Sequence, residues 1–311
     1  MLSLLAGILI AATAAAAPAV AEPSHFKLVQ VAEGVYAAIA KPGDRASVGN
    51  AGFILGSDGV VVVDSFMTAE GAEELLAAIR GLTKAPVRWV VNTHYHLDHV
   101  GGDAVFAKQG ALLLAHENVR AWVRTENLKW RKEIKPEEKA MLAALPLPDF
   151  TYRDGLRIWT GGREVVISTP PGHTGGDSVV FLPGADVVFA GDLFWKDTVP
   201  NLVDADTKAW VRTLDAFTAE HPASRFVPGH GEVGAALDVR FFRDYLVGLR
   251  TTVDKAIAEG KTGPELTAQV QALLRKKYAS WTWFDQFIEK NIEQTEQEMR
   301  GTKKYAPSPA S

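Results

Sequence analysis

The chain has 311 residues, 47% of them apolar, and a formal net charge of −4. That length and apolar share suffice for a sizeable buried core, in one large α/β domain or two small ones. A mildly acidic chain gives no electrostatic reason to expect a nucleic-acid partner, and the absence of cysteine excludes disulfides, thiolate nucleophiles and sulfur ligands alike.

Residues 1–21 stand apart. Leu4-Leu-Ala-Gly-Ile-Leu-Ile-Ala-Ala12 is an apolar run too short for a confident membrane span, and it leads into the small-residue pattern Pro18-Ala-Val-Ala21. These features predict a cleavable signal cut after Ala21, a periplasmic or secreted mature chain, and no stable membrane insertion after cleavage. No Lys or Arg precedes the apolar run, which departs from the usual signal.

The mature chain then reads as strands at 27–40 turning at Glu33-Gly34, a polar loop Lys41–Gly49, and strands at Asn50–Leu55 and Gly59–Asp64. A helix begins at Thr68 and runs to about residue 80, followed by the apolar strand Val87–Val91. A short helix at Val105–Lys108, a strand at Ala111–Ala115, and helical pieces at Glu117–Trp130 and Pro136–Leu145 come next. Strands return at 156–159, 164–169, 178–182 and 186–190, then a helix at Thr207–His221 and a strand at Arg225–Val227. The last part is helical over 235–300. Leu237, Phe241, Tyr245, Leu249, Val253 and Ile257 recur every fourth residue, and Thr262 with Glu265 forms a capping-box pattern beside Pro264. Leu266, Val270 and Leu274, then Phe284, Phe287, Ile288 and Ile292, mark two further amphipathic helices. Two blocks of strands separated by helices fit a layered sandwich. One domain is expected over 22–303, with a disordered tail over 304–311.

The chemistry concentrates in Asn92-Thr-His-Tyr-His-Leu-Asp-His-Val-Gly-Gly102, where His94, His96, Asp98 and His99 offer four ligands within six residues. Imidazole and carboxylate are what borderline-soft divalent metals select, zinc foremost. Gly101-Gly102 is expected to let the backbone turn sharply. Three further ligand-type residues stand at strand ends: His173 in Pro171-Gly-His-Thr, Asp192 after Gly191, and His230 in Pro228-Gly-His-Gly. Seven ligands are enough for two metals, and a serine triad is disfavoured because the histidines are committed.

H-x-H-x-D-H, then G-H-T, G-D and P-G-H-G in this order resembles the metallo-β-lactamase superfamily. The resemblance implies a four-layer αβ/βα sandwich, with additional C-terminal helices here. It implies that His94, His96 and His173 hold the first metal, that Asp98, His99 and His230 hold the second, and that Asp192 bridges them. Asp64 matches a structural aspartate beneath the metal loop, and a plain strand-end cap is the alternative. The expected reaction is attack of a metal-bridged hydroxide on a polarised carbonyl, with Asp98 carrying the proton to the leaving group. Two zinc ions per chain are expected, and with no thiolate ligand iron or manganese can replace them.

The C-terminal half is similar to the zinc β-lactamases, which implies Lys196 for a substrate carboxylate and Asn201 for the carbonyl oxygen. Those enzymes carry Cys where Asp192 stands and usually Arg where His99 stands. The all-oxygen-and-nitrogen set resembles instead glyoxalase II and lactonase-type hydrolases. The expected activity is hydrolysis of a small ester, thioester, lactone or lactam, with periplasmic β-lactamase and non-catalytic metal binding as alternatives. The partner is a small-molecule substrate, and the oligomeric state is left open. His116 is read as structural, and His25 and His221 as solvated. Lys41–Gly49 is either a flap or a plain hairpin, Trp195 an apolar wall, and Trp281 and Trp283 either line the entrance or pack the tail helices, with packing favoured.

Overall fold

The computed structural model describes residues 22–129 and 133–306. The expected signal and residues 307–311 of the expected tail lie outside the described residues. Seven strands make the first sheet in sequence order: β1 (Phe26–Ala32), β2 (Val35–Ala40), β3 (Ala51–Leu55), β4 (Val60–Val63), β5 (Val87–Val91), β6 (Leu112–His116) and β7 (Phe150–Tyr152). The first four strands run antiparallel to their neighbours, whereas β4, β5, β6 and β7 are parallel. The crossovers carry α1 (Ala69–Leu82), α2 (Leu97–Val100), α3 (Asp103–Ala107), α4 (Glu117–Trp122) and α5 (Pro136–Ala144).

The second sheet has six strands: β8 (Gly155–Thr160), β9 (Arg163–Ser168), β10 (Val179–Leu182), β11 (Val187–Trp195), β12 (Arg225–His230) and β13 (Gly234–Ala235). Helix α6 (Thr207–Glu220) connects β11 to the parallel β12, and α7 (Ala236–Ala258), α8 (Gly263–Tyr278) and α9 (Phe284–Met299) follow.

Strand alternation produces the layers. Val60 and Val62 of β4 pack outward with Leu75 and Ile79 of α1, while Val61 and Val63 face the other sheet. In β11, Val188 and Ala190 pack outward with Trp210 of α6 and Leu249 of α7, whereas Val187 and Phe189 point between the sheets. Both strands are buried on both faces, so β4 reads as an unbroken apolar run, and β11 does so except at Gly191 and Asp192. The result is the helix–sheet–sheet–helix sandwich that the sequence implied, with α8 and α9 added against α7.

Several local expectations are corrected. Leu237 and Phe241 are 59% and 54% exposed, while Tyr245, Leu249 and Val253 are fully buried. A step of four residues outruns the helical turn by about 40° each time, so the apolar stripe rotates off the core. Val239, Phe242 and Leu246 occupy the buried face instead. Thr262 is the N-cap of α8 without a side-chain cap bond, and Glu265 pairs with Lys261 at 3.1 Å, so the capping box does not form. The helical piece from Glu117 ends at Trp122, β7 forms between the expected helix at 136–145 and the expected strand at 156–159, and β11 runs on past Asp192 to Trp195. Gly101 and Gly102 have ordinary right-handed torsions. Their need is close approach: a Cβ would lie 1.9 Å from the Met67 carbonyl oxygen at Gly101 and 2.1 Å from that of Ser65 at Gly102. Among the described residues no helix is long and apolar enough to cross a membrane.

Candidate metal centre

The ends of β4, β5, β11 and β12, with the loop after β9, meet at one edge of the sandwich, and all seven expected ligands converge there. The first group is His94, His96, His173 and Asp192, and the second is Asp98, His99 and His230. Within each group the ligand atoms lie within 4.8 Å of one another. Asp192 spans both groups. Its Oδ2 lies 3.5 Å from His94 Nε2 and 3.2 Å from His173 Nε2, while its Oδ1 lies 3.2 Å from His99 Nε2 and 3.4 Å from His230 Nε2. Asp98 Oδ2 completes the second group, 3.3 Å from His230 Nε2.

Hydrogen bonds behind the rings set their tautomers. Asp64, directly after β4, accepts the Thr93 N–H and the Thr93 hydroxyl at 2.7 Å each, and faces His99 Nδ1 at 2.8 Å. The Thr93 hydroxyl proton is thereby used, so at 3.1 Å its oxygen accepts from His94 Nδ1. His94 then turns an unprotonated Nε2 into the site. At His99 burial is outweighed by Asp192, Asp98 and Asp64, which lift the ring well above its usual value and leave Nε2 facing Asp192 Oδ1 at 3.2 Å. Asp64 is therefore the support beneath the metal loop, and more than a strand-end cap. His96 is reversed, with Nε2 facing Asp204 Oδ2 at 3.4 Å and Nδ1 in the site. Sequence reading missed Asp204, which also accepts from the Tyr95 hydroxyl (2.5 Å) and pairs with Lys129. Its signal was membership of Asn201-Leu-Val-Asp-Ala-Asp206, a segment similar to the zinc β-lactamases in which only Asn201 was given a role.

This arrangement fits divalent cations. His96 Nδ1 sits 3.0 Å from both His94 Nε2 and His173 Nε2, a convergence of lone pairs that repel unless a cation lies among them. In the second group, the buried His99 Nε2 and Asp192 Oδ1 have no hydrogen-bond partner. Burial drives the His94 imidazole well below its usual value and that of His173 to about 3, so both are neutral ligands. Burial acts the same way on His230, but Asp192 and Asp98 outweigh it and lift the ring to about 9. Burial raises the Asp98 and Asp192 carboxyls, yet the neighbouring imidazoles win, leaving Asp98 at about 2 and Asp192 well below the carboxylate range. The second group thus draws positive charge into its centre.

Two residues that sequence reading passed over make room for this. A Cβ at Gly229 would lie 1.8 Å from Asp192 Oδ1, so no larger residue fits beneath that oxygen. Asn50 ties down the loop bearing His230, donating from Nδ2 to the Pro228 (2.9 Å) and Gly231 (2.8 Å) carbonyls.

Above the metal groups lies a cavity of about 230 Å³. His96, Asp98, Asp192 and His230 line its floor, and Val48, Leu97, Leu128 and Trp195 its walls. Asn201 reaches it, with Oδ1 accepting from the Val203 N–H at 3.0 Å. Lys196 does not. Its Nζ donates to the Val233 carbonyl at 3.2 Å and pairs with Asp238 at 3.3 Å, because the chain turns after Trp195 and carries the side chain towards α7. Of the two alternatives for these tryptophans, Trp283 meets both, lining the cavity and packing against the core cluster, whereas Trp281 packs on Tyr245 and Tyr278. The loop Lys41–Gly49 contributes Val48 as a wall and is fixed by Asp44, which accepts from the Ala46 and Ser47 N–H groups at 2.8 and 2.9 Å. His116 caps α4, accepting from the Asn118 N–H at 3.1 Å, so its structural reading holds. His25 is half-buried against Asp44 at 2.9 Å, and His221 rests on the Phe181 ring, so neither is simply solvated.

Fold and site together are those of a metal-dependent hydrolase built on two packed sheets. Residues 44–230 match the Metallo-beta-lactamase superfamily model. The chain is 27% identical over 192 residues to a metallo-beta-lactamase type 2 of Bacteroides fragilis, a match covering 57% of this chain and 70% of that protein. It is 24% identical over 255 residues to a linear primary-alkylsulfatase of a Pseudomonas species, covering 69% of this chain and 48% of the relative. A hydroxyacylglutathione hydrolase of Brucella anthropi is 32% identical over 148 residues, covering 45% of this chain and 48% of the relative. The chain thus spans about half the length of these last two relatives. A solved metallo-beta-lactamase from Pontibacter korlensis superposes with a TM-score of 0.59 at 24% identity, over 71% of this chain and 99% of that one. The chain belongs to the metallo-beta-lactamase superfamily, and its relatives are hydrolases of that superfamily.

Proposed function

We propose that the protein is a dinuclear zinc hydrolase acting on the carbonyl of a small ester, thioester, lactone or lactam. One observation carries the reading: Asp192 presents one carboxylate oxygen to each histidine group, 3.2–3.5 Å from all four nearest nitrogens. His94, His96 and His173 would hold one metal and Asp98, His99 and His230 the other, with Asp192 shared. Two such metals, when bound, supply a water of lowered pKa and a Lewis acid for the carbonyl. Around them, Asp98 is ionised at neutral pH and lines the cavity, so it is the acceptor that takes a proton and passes it to the leaving group. Asn201 keeps Nδ2 available to donate to the carbonyl oxygen, since only its Oδ1 is engaged by the loop. Trp195 and Leu128 keep the floor dry, which strengthens each of these electrostatic contacts. Export follows from the 1–21 segment, and amino-terminal sequencing of the secreted protein tests it, with Glu22 expected first.

The test is metal analysis of the purified chain together with a panel of neutral esters, thioesters, lactones and a chromogenic cephalosporin. Two zinc equivalents and turnover of a carbonyl substrate are expected; a metal-loaded protein that turns over none of them sinks the proposal. The β-lactamase reading is favoured by the relatives from Bacteroides fragilis and Bacillus cereus, each 27% identical. Against it stands Lys196, whose ion pair with Asp238 keeps it from a substrate carboxylate. Lys196→Ala should therefore change kcat/KM for a carboxylate-bearing lactam by no more than about twofold, and stability by less than about 1 kcal/mol. A tenfold loss confined to carboxylate-bearing substrates would restore the lactamase reading.

A further inference from the structure

The segment between α8 and α9 lies beyond the family match at 44–230 and returns to the metal cavity. Trp283 occupies a left-handed backbone (φ 62°), a strained choice for a bulky side chain. The surrounding chain fixes it there. Thr282 donates its N–H to the Asp197 carbonyl (2.9 Å) and accepts from the Val199 N–H (2.9 Å), pairing the segment with the stretch that follows Asp192 and Trp195. Trp281 packs on Tyr245 and Tyr278, whereas Trp283 and Phe287, which also rest against the core cluster, reach the metal cavity as well. What the left-handed backbone achieves is placement. The Trp283 ring lies 5.0 Å from the His230 ring at 69° and 5.8 Å from the Trp195 ring at 70°. Phe287 adds a further edge-to-face ring at 5.8 Å and 87°, and Trp195 lies 4.0 Å over His230. All three aromatic side chains line the cavity beside the second metal group.

We infer that Trp283, Phe287 and Trp195 form an aromatic slot for a planar aryl group of the substrate, so the C-terminal helical segment sets selectivity. The inference rests on the hydrolase reading for its role, though not for its binding event. Ring edges and faces presented at near-right angles favour a flat aromatic guest over an equally large puckered ring.

The test uses the full zinc-loaded chain, with Trp283→Gly, Trp283→Phe and Phe287→Ala. Glycine suits a positive φ, so Trp283→Gly removes the ring while relaxing the backbone. Two esters, phenyl butyrate and cyclohexyl butyrate, are compared as ratios between enzymes, so their different reactivities cancel. Trp283→Gly should lower kcat/KM for the phenyl ester roughly tenfold and for the cyclohexyl ester at most about twofold, with Trp283→Phe recovering most of the loss. In parallel, calorimetric titration with 2-naphthol and with decahydro-2-naphthol reads binding without chemistry, and the same selective weakening is expected. Phe287→Ala should shift both ratios in the same direction. Equal losses for planar and puckered partners, or no loss, overturn the slot. If neither ester is turned over, the naphthol titration alone decides the slot, and the hydrolase reading is decided separately by the wider panel of thioesters, lactones and the cephalosporin.

Discussion

Residues 44–230 supply every ligand-type side chain of the metal centre, and residues 236–303 supply none, yet the second region controls the surroundings of the first. Asn291 of α9 donates to the Pro200 carbonyl at 2.7 Å and accepts from the Leu202 N–H at 3.2 Å. Glu298 accepts from the Thr207 N–H at 3.0 Å, and Lys303 donates to the Leu202 and Ala205 carbonyls at 2.7 and 2.6 Å. Those contacts lace the loop bearing Asn201 and Asp204. One region therefore carries the chemistry, and the other holds the residues that aim a ligand and receive a substrate. Mutations should separate accordingly: changes in the first region should alter metal content directly, and changes in the second should alter selectivity or the loop and affect metal affinity far less.

The sharpest way to break the comparison lies at Asp192. Removing an outer partner of a metal ligand costs about 10–100-fold, so Asp192→Ala, which strips a shared ligand from both groups, should cost at least about 100-fold in kcat/KM. Metal analysis should find both sites weakened together; loss of one metal alone would refute the bridging role. Gly229→Ala ranks next. Its Cβ would displace Asp192 Oδ1 from 1.8 Å, with a stability cost of about 1–3 kcal/mol from overpacking. Thermal melting with metal titration checks it, and wild-type metal affinity in a folded Gly229→Ala variant would contradict the close-approach argument.

The two carboxylates behind the rings make a paired test. Asp64→Asn frees His99 and should weaken the second site, while Asp204→Asn frees His96 and should weaken the first, each by about 10–100-fold in metal affinity. Stepwise zinc titration distinguishes which site empties first. The same site emptying in both variants would mean that the two groups do not act as separate halves.

How much of this was legible in the sequence follows the same division. The convergence of the seven candidate ligands was readable because metal chemistry restricts residue type and because strand ends bring such residues to one edge. The sandwich was readable from unbroken apolar runs such as Val60–Val63. Lys196 misled because its position in the chain is near Asp192, whereas its direction is set by Asp238 on α7, a contact that no local pattern encodes. Asp204 and Gly229 were passed over for a related reason. One looked like any carboxylate in a polar loop, and the other's role depends on an oxygen 37 positions away in the chain, at Asp192. Trp283 was legible only as one of two alternatives, since amphipathic spacing says which face of a helix is buried but not what a residue before its first turn will meet.

Lys303 offers the gentlest probe of the second region. Burial lowers its ammonium to about 8 from 10.5, against the opposing pull of Glu298, Asp204 and Asp206. Between those two values the unfolded chain keeps a proton that the folded chain has released, so this residue makes stability rise as pH rises from about 8 to 10.5. Below about 8 both states hold the proton and the contribution is flat, at its least favourable. Lys303→Met removes a buried charge along with its two carbonyl contacts, so stability at pH 7 should change by no more than about 1 kcal/mol. Its melting temperature should lose that alkaline rise relative to the wild type, measured in thermal scans from pH 7 to 10.5. First-site zinc affinity should fall less than in Asp204→Asn, because the loop loosens while the carboxylate stays. An unchanged alkaline slope would mean that the Lys303 ammonium is not desolvated against the 202–205 carbonyls, and the tail would then be a bystander to the loop that aims His96.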